Sequence, residues 1–112
     1  MHISSADFDA QDFLTLIQQH LEFSHQNACT HALGLAALKM ADIQMFVARD
    51  DMGALMGCAA LKTLTPAQGE IKSVRTHDDF LRRGVSRGLM AHLEIVAHAS
   101  GMKALFLETL PQ

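Results

Sequence analysis

Arg82-Arg-Gly-Val-Ser-Arg-Gly88 stands between residues 70–76, which have strand character, and a stripe of Val85, Leu89, Leu93 and Val96 at helical spacing. The order strand, glycine-containing loop, long amphipathic helix decides the fold. A helix that opens on such a loop leaves N–H groups without acceptors, and its dipole favours negative charge there. Arg82, Arg83 and Arg87 add charge-assisted donors at the same place. Together they describe a cradle for a pyrophosphate. The spacing is not GxxxxGK[ST], and it is not GxGxxG, because the second glycine of that pattern is Ser86 here.

Working outward, the helix is expected to end at Ser100-Gly101, with glycine just past its last turn. The run Ala104-Leu-Phe-Leu107 then reads as a buried strand. Upstream, Glu70 to Thr76 reads as a strand whose apolar residues, Ile71 and Val74, have opposite parity. A strictly alternating strand would not do that, and a β-bulge between them is one explanation. Thr65 to Gly69 is a turn, and Ile43–Arg49 and Ala54 to about Leu64 form a hairpin about Asp50-Asp-Met-Gly53. A short helix is expected from about Leu35 to Ala41, and a first strand at residues 2–5. Between these, Asp9-Ala-Gln-Asp12 offers an N-cap and a first-turn carboxylate to a helix carrying Phe13, Ile17 and Leu21. The order β, α, α, β, β, β, α, β predicts a mixed α/β domain spanning 1–112, with a mostly antiparallel sheet flanked by helices.

The 112 residues are 49% hydrophobic and 19% charged, which suits one ordinary domain. Six Phe with no Trp or Tyr leave the core to Leu, Ala, Met and Val, and leave no tyrosine to act as an acid. A net charge of −3 with few aromatics argues against nucleic-acid binding, which relies on basic surface and stacking. The charge is uneven: residues 1–60 hold two bases against seven acids, and residues 61–112 hold seven against five. An anion is therefore expected to bind the second half. Cys29 and Cys58 lie far apart without a CxxC partner, so a reduced, cytoplasmic setting is expected and no zinc site. No apolar run approaches the ~20 residues of a membrane span, and the N-terminus shows no signal peptide. The histidines lack HExxH or a short ligand pair, so no metal is expected.

Gly69-Glu-Ile-Lys-Ser-Val-Arg-Thr-His77, Phe80-Leu-Arg-Arg-Gly-Val-Ser-Arg-Gly-Leu-Met90 and Leu105-Phe-Leu-Glu-Thr109 resemble the GNAT superfamily of acetyl-CoA-dependent N-acetyltransferases. His31-Ala-Leu, Val47-Ala-Arg-Asp and Leu55-Met-Gly-Cys-Ala-Ala-Leu-Lys62 are similar to the hairpin region of small bacterial members, so the resemblance covers nearly the whole chain. The family's Gln/Arg-x-x-Gly-x-Gly/Ala falls on Leu81, Gly84 and Ser86, of which only Gly84 matches fully. A serine at 86 is nearly as small and offers a hydroxyl to cap the helix or meet phosphate.

The resemblance implies that Arg82, Arg83, Gly84, Val85, Ser86 and Arg87 hold the pyrophosphate of acetyl-CoA. Val74 and Thr76 would offer backbone to the pantetheine arm, where residues 70–76 and 104–110 splay apart. Glu70 is the candidate general base, direct or through water, and the backbone N–H of Val74 the oxyanion donor. The implied activity is acetyl transfer to the amine of a small molecule or peptide. The family often uses a late tyrosine as general acid, which is absent here, and its last helix and two strands lie beyond Pro111-Gln112. The alternative expectation is therefore a catalytically weak acyl-CoA-binding or interaction module. A strand at 104–110 without its usual neighbours is an open apolar edge, which predicts a homodimer through it.

Overall fold

The computed structural model describes residues 1–24 and 35–107. Five strands form one sheet in the order β1 (His2–Ser5), β2 (Ile43–Arg49), β3 (Leu55–Thr65), β4 (Gln68–Thr76), β5 (Ala104–Leu107). The first three pairings are antiparallel and the β4–β5 pairing is parallel. Helix α1 (Gln11–Ser24) joins β1 to the rest, and α2 (Val85–Ala99) makes the crossover from β4 to β5. The mixed α/β architecture and the predicted strand order are as the sequence indicates.

Both faces of the sheet are covered, which is why β2 and β3 read as nearly unbroken apolar runs. On one face Phe13, Leu16 and Ile17 of α1 pack with Leu38 on Met45, Val47, Cys58 and Ala60. On the other, Val85, Leu89, Leu93 and Ala97 of α2 pack on Phe46, Ala48, Ala59, Leu61 and Ile71. At the centre, Ala59 and Ala60 are both fully buried and keep the sheet thin enough for a helix on each side. The β2–β3 turn forms as its aspartate predicts. Asp50 Oδ1 accepts from the N–H groups of Met52 and Ala54, each at 2.9 Å, and Gly53 takes the left-handed φ of +87°.

Several local expectations are corrected. Asp9 does not cap α1: the helix starts at Gln11, the Ala10 carbonyl accepts from Leu14 N–H, and the Asp9 N–H donates to Asp7 Oδ1 at 2.9 Å. Asp7 thus spends its carboxylate on the turn before the helix, while Asp12 is in the first turn as expected. Of the short second helix, residues 35–38 are helical and the chain turns at 39–40, earlier than Ala41; the preceding His31-Ala-Leu-Gly34 lies outside the described residues. Strand β4 begins at Gln68 rather than Glu70. β5 is not buried, since Phe106 is 49% and Leu107 is 60% exposed. The helix stop at Gly101 is a Schellman motif: Met102 N–H donates to Ala97 O and Gly101 N–H to His98 O, with Gly101 at φ +84°.

Candidate functional site

The bulge expected from the parity of Ile71 and Val74 is present. Cys58 pairs with Arg75 and Ala60 with Lys72, so Ser73 and Val74 together oppose the single Ala59. Ser73 takes φ +54°, a left-handed value that a serine adopts only under constraint. Its carbonyl accepts from Cys58 Sγ at 3.6 Å. The bulge turns the alternation over: Ile71 and Val74 both pack on the α2 side, whereas Glu70, Lys72 and Arg75 share the α1 side.

β4 is the penultimate strand, not a central one. It pairs with β5 only from Gln68↔Ala104 to Ile71↔Leu107. Beyond Ile71, its outer edge at Ser73 to Thr76 has no strand partner among the described residues. The expected splay against residues 108–110 concerns positions outside the described residues.

After β4, His77 N–H donates to Met56 O, and a 3-10 turn follows at Asp78–Phe80. His77 Nδ1 accepts from Asp79 N–H at 3.1 Å and fastens that turn. The chain then enters the loop through two left-handed residues, Arg82 at φ +63° and Gly84 at φ +76°. Gly84 is the N-cap of α2, and no side chain caps the helix. Left-handed residues beside helical ones turn successive N–H groups inward into a concave nest for anions. The N–H groups of Val85, Ser86 and Arg87 belong to the first helical turn, where no intrahelical acceptor exists. A Cβ placed on Gly84 would meet nothing within 4 Å, so the space before the helix is open.

The side chains around this opening differ in use. Arg83 lies over the Phe80 ring, 5.5 Å from its centroid, and Phe80 stands edge-on to His77. Arg82 and Arg87 are exposed. Val85 contributes only backbone, because its side chain is buried against the sheet. Ser86 is not a cap: it is the second residue of the helix, half-buried. Thr76 lies opposite Gly57 and ends β4 just before the turn.

Glu70 faces Lys62 on β3 and Phe106 on β5, with its side chain 27% exposed. Its Oε1 is 4.0 Å from Lys72 Nζ, a long and loose ion pair. Three residues separate Glu70 from Val74, and one of them is the left-handed Ser73 of the bulge. The carboxylate and the Val74 N–H therefore belong to one strand but are not adjacent.

The family model of the acetyltransferase (GNAT) family matches residues 10–112. This chain belongs to the GNAT acetyltransferase family. It is similar to the uncharacterized N-acetyltransferase YsnE of Bacillus subtilis, 36% identical over 112 residues, covering 97% of this chain and 74% of that protein. In fold it resembles a ribosomal-protein-alanine N-acetyltransferase from Brucella melitensis, with TM-score 0.77 at 20% identity, over 100% of this chain and 82% of that one. It likewise resembles a GNAT family acetyltransferase from Elizabethkingia anophelis with acetyl-CoA bound, with TM-score 0.72 at 17% identity, over 96% of this chain and 64% of that one.

Two further features bear on the site. Arg75 is a residue to which the sequence assigns no role. In the structure its Nε is enclosed and has no hydrogen-bond partner. No sequence signal marks that state, which depends on tertiary packing. Among the described residues, no group of three His, Cys, Asp or Glu is placed to hold a metal ion, and no helix is long and apolar enough to cross a membrane.

Proposed function

We propose that this GNAT domain, residues 1–112, transfers the acetyl group of acetyl-CoA to the amine of a small molecule or peptide. One observation carries the reading: an open, uncapped helix start, entered through left-handed Arg82 and Gly84, lies directly after the bulged strand β4. The loop fits a pyrophosphate, because it combines inward N–H groups with three arginines and has free space before it. The acetyl-CoA bound to the Elizabethkingia protein supports the same cosubstrate here.

On this reading Arg82, Arg83, Gly84, Val85, Ser86 and Arg87 hold the pyrophosphate, with Val85 and Ser86 acting through their backbone. Val74 and Thr76 offer the free edge of β4 to the pantetheine arm. The Val74 N–H, within the bulge where β3 and β4 lose register, donates to the carbonyl oxygen as it gains negative charge. The amine nitrogen bonds to the acetyl carbon, the carbon–sulfur bond breaks, and the coenzyme leaves as a thiolate. Glu70 takes the amine proton through intervening water. The chain has no tyrosine, so water returns a proton to the thiolate. A thiol pKa near the usual ~8.5 makes that return undemanding at neutral pH.

Thiol release from acetyl-CoA across a panel of amines tests the reading, with the native chain compared to Glu70→Gln. The expected result is turnover that falls about 10²-fold or more in the variant while acetyl-CoA binding is retained. A second reading is an acyl-CoA-binding module of little activity. Binding without turnover on any amine selects it.

A further inference from the structure

Arg75 is the second residue after the left-handed Ser73 and immediately follows Val74, the proposed oxyanion donor. Its position opposite Cys58 places it on the α1 side of the sheet, the same side as Glu70 and Lys72. The residue is half-buried, yet its Nε is shut off from water without a hydrogen-bond partner. Among the described residues the acids near this face are otherwise engaged. Asp12 is held by Arg49, and Glu70 Oε1 lies 4.0 Å from Lys72 Nζ. Cys58, directly opposite Arg75, offers only a buried neutral thiol. A guanidinium whose Nε has given up water and gained no acceptor is costly to keep. It is a poor stabilising device and a good half of a recognition pair.

We infer that Arg75 binds a carboxylate of the acceptor, and that the acceptor class is an amine carrying a carboxylate a few bonds from its nitrogen, as in an α-amino acid. This rests on the acyl-transfer reading of the same strand edge. The geometry favours the acceptor over the coenzyme as the source of the anion. The phosphate cradle lies at residues 82–87, beyond the end of β4, and a pantetheine arm presents amides and hydroxyls rather than a carboxylate. Arginine suits the task because Nε and one terminal nitrogen meet both carboxylate oxygens side-on once the side chain turns that edge outward. With the nitrogen held near Val74 and the carboxylate on the next residue, the acceptor is oriented along β4. Lys62 and Lys72 stand on the same face as Arg75, beside Glu70.

The test compares L-amino acids with their carboxamides as acceptors at equal concentrations of free amine, and follows thiol release from acetyl-CoA. The native chain is expected to prefer the carboxylate by about 10²-fold or more in kcat/KM, since a site built to pair a charged group rejects the analogue lacking it. Arg75→Met, which keeps the apolar stem, should erase that preference and leave the carboxamide rate within a few-fold. Arg75→Lys should restore part of the preference, and both variants should keep the rise in melting temperature that acetyl-CoA confers on the native chain.

Equal use of carboxylate and carboxamide by the native chain, or a panel in which no carboxylate-bearing amine is acetylated, overturns the inference. So does loss of the acetyl-CoA shift in both variants, which assigns Arg75 to the coenzyme. If acetyl-CoA gives the native chain no shift, the acyl-transfer reading itself fails and this inference with it. An intact shift with no carboxylate preference overturns the acceptor assignment alone.

Discussion

Gly57 lies beneath Val85: a Cβ on Gly57 would stand 2.9 Å from Val85 Cγ1 and 2.7 Å from the carbonyl oxygen of Arg75. The first residue of α2 therefore rests on the backbone of β3, beside the end of β4. That contact sets where the anion-binding end of the helix sits relative to the bulged strand. Gly57→Ala should force the helix start outward, costing about 1–3 kcal/mol of stability and weakening acetyl-CoA binding. Urea denaturation together with an acetyl-CoA titration checks both effects.

Arg49 grips Asp12 with two hydrogen bonds, Nη1 to Oδ2 at 2.7 Å and Nη2 to Oδ1 at 3.0 Å, and so ties β2 to the first turn of α1. The hydrogen bonds from Arg49 hold the Asp12 carboxyl below its ordinary value of 3.8, against a smaller opposing effect of burial. A carboxylate with a depressed folded pKa stabilises the fold above its unfolded pKa, and that contribution is lost as pH falls through the folded value. Since the side chains are 28% and 50% exposed, the contribution is modest, about 0.2–1 kcal/mol. The stability gap between the native chain and Asp12→Asn should be constant well above the ordinary carboxyl value of 3.8 and shrink as pH falls below it, measured by denaturant unfolding across that range.

Burial pushes the Cys58 thiol up to about 12, outweighing the lowering effects of Arg75. A thiol that scarcely ionises near neutral pH is a poor nucleophile. In a Cys29→Ser background, an alkylating reagent at pH 7.5 should leave the folded protein untouched and label Cys58 fully in denaturant. Rapid labelling of the native state would contradict the packing described between the sheet and α1.

Phe106 and Leu107 expose about half or more of their surfaces on β5, next to Ile71 and Glu70 of the proposed site. An apolar edge of this kind is a template for a further strand. A second copy of the chain is the proposed occupant, and light scattering at micromolar concentration should give a dimer that Phe106→Lys dissociates. A native monomer at that concentration counts against it.

Much of this was legible before any coordinates. The mismatch between Ile71 and Val74 pointed to the bulge, because a fixed two-residue period does not bury both on one side. Gly101 announced the end of α2, since a left-handed residue at that place is most easily glycine. Other features depend on tertiary contact and leave no trace in local pattern. Arg82 takes a left-handed φ although it is not glycine. Asp7 rather than Asp9 captures the N–H before α1. The run Ala104–Leu107 has the same composition whether or not a neighbour covers it, so its exposure was hidden. The isolation of Arg75 Nε appears only once the chain has packed.

The central claim is that the loop at residues 82–87 binds acetyl-CoA, and a thermal melt in its presence tests this most directly. A ligand at 100 times its Kd stabilises by about 2.7 kcal/mol, so saturating acetyl-CoA should raise the native melting temperature by roughly 10 °C. Gly84→Asp, which sets a carboxylate before the helix start in the open space noted above, should remove that rise while the folded variant still melts cooperatively. No shift of the native chain at millimolar acetyl-CoA, or an undiminished shift in Gly84→Asp, would contradict the account.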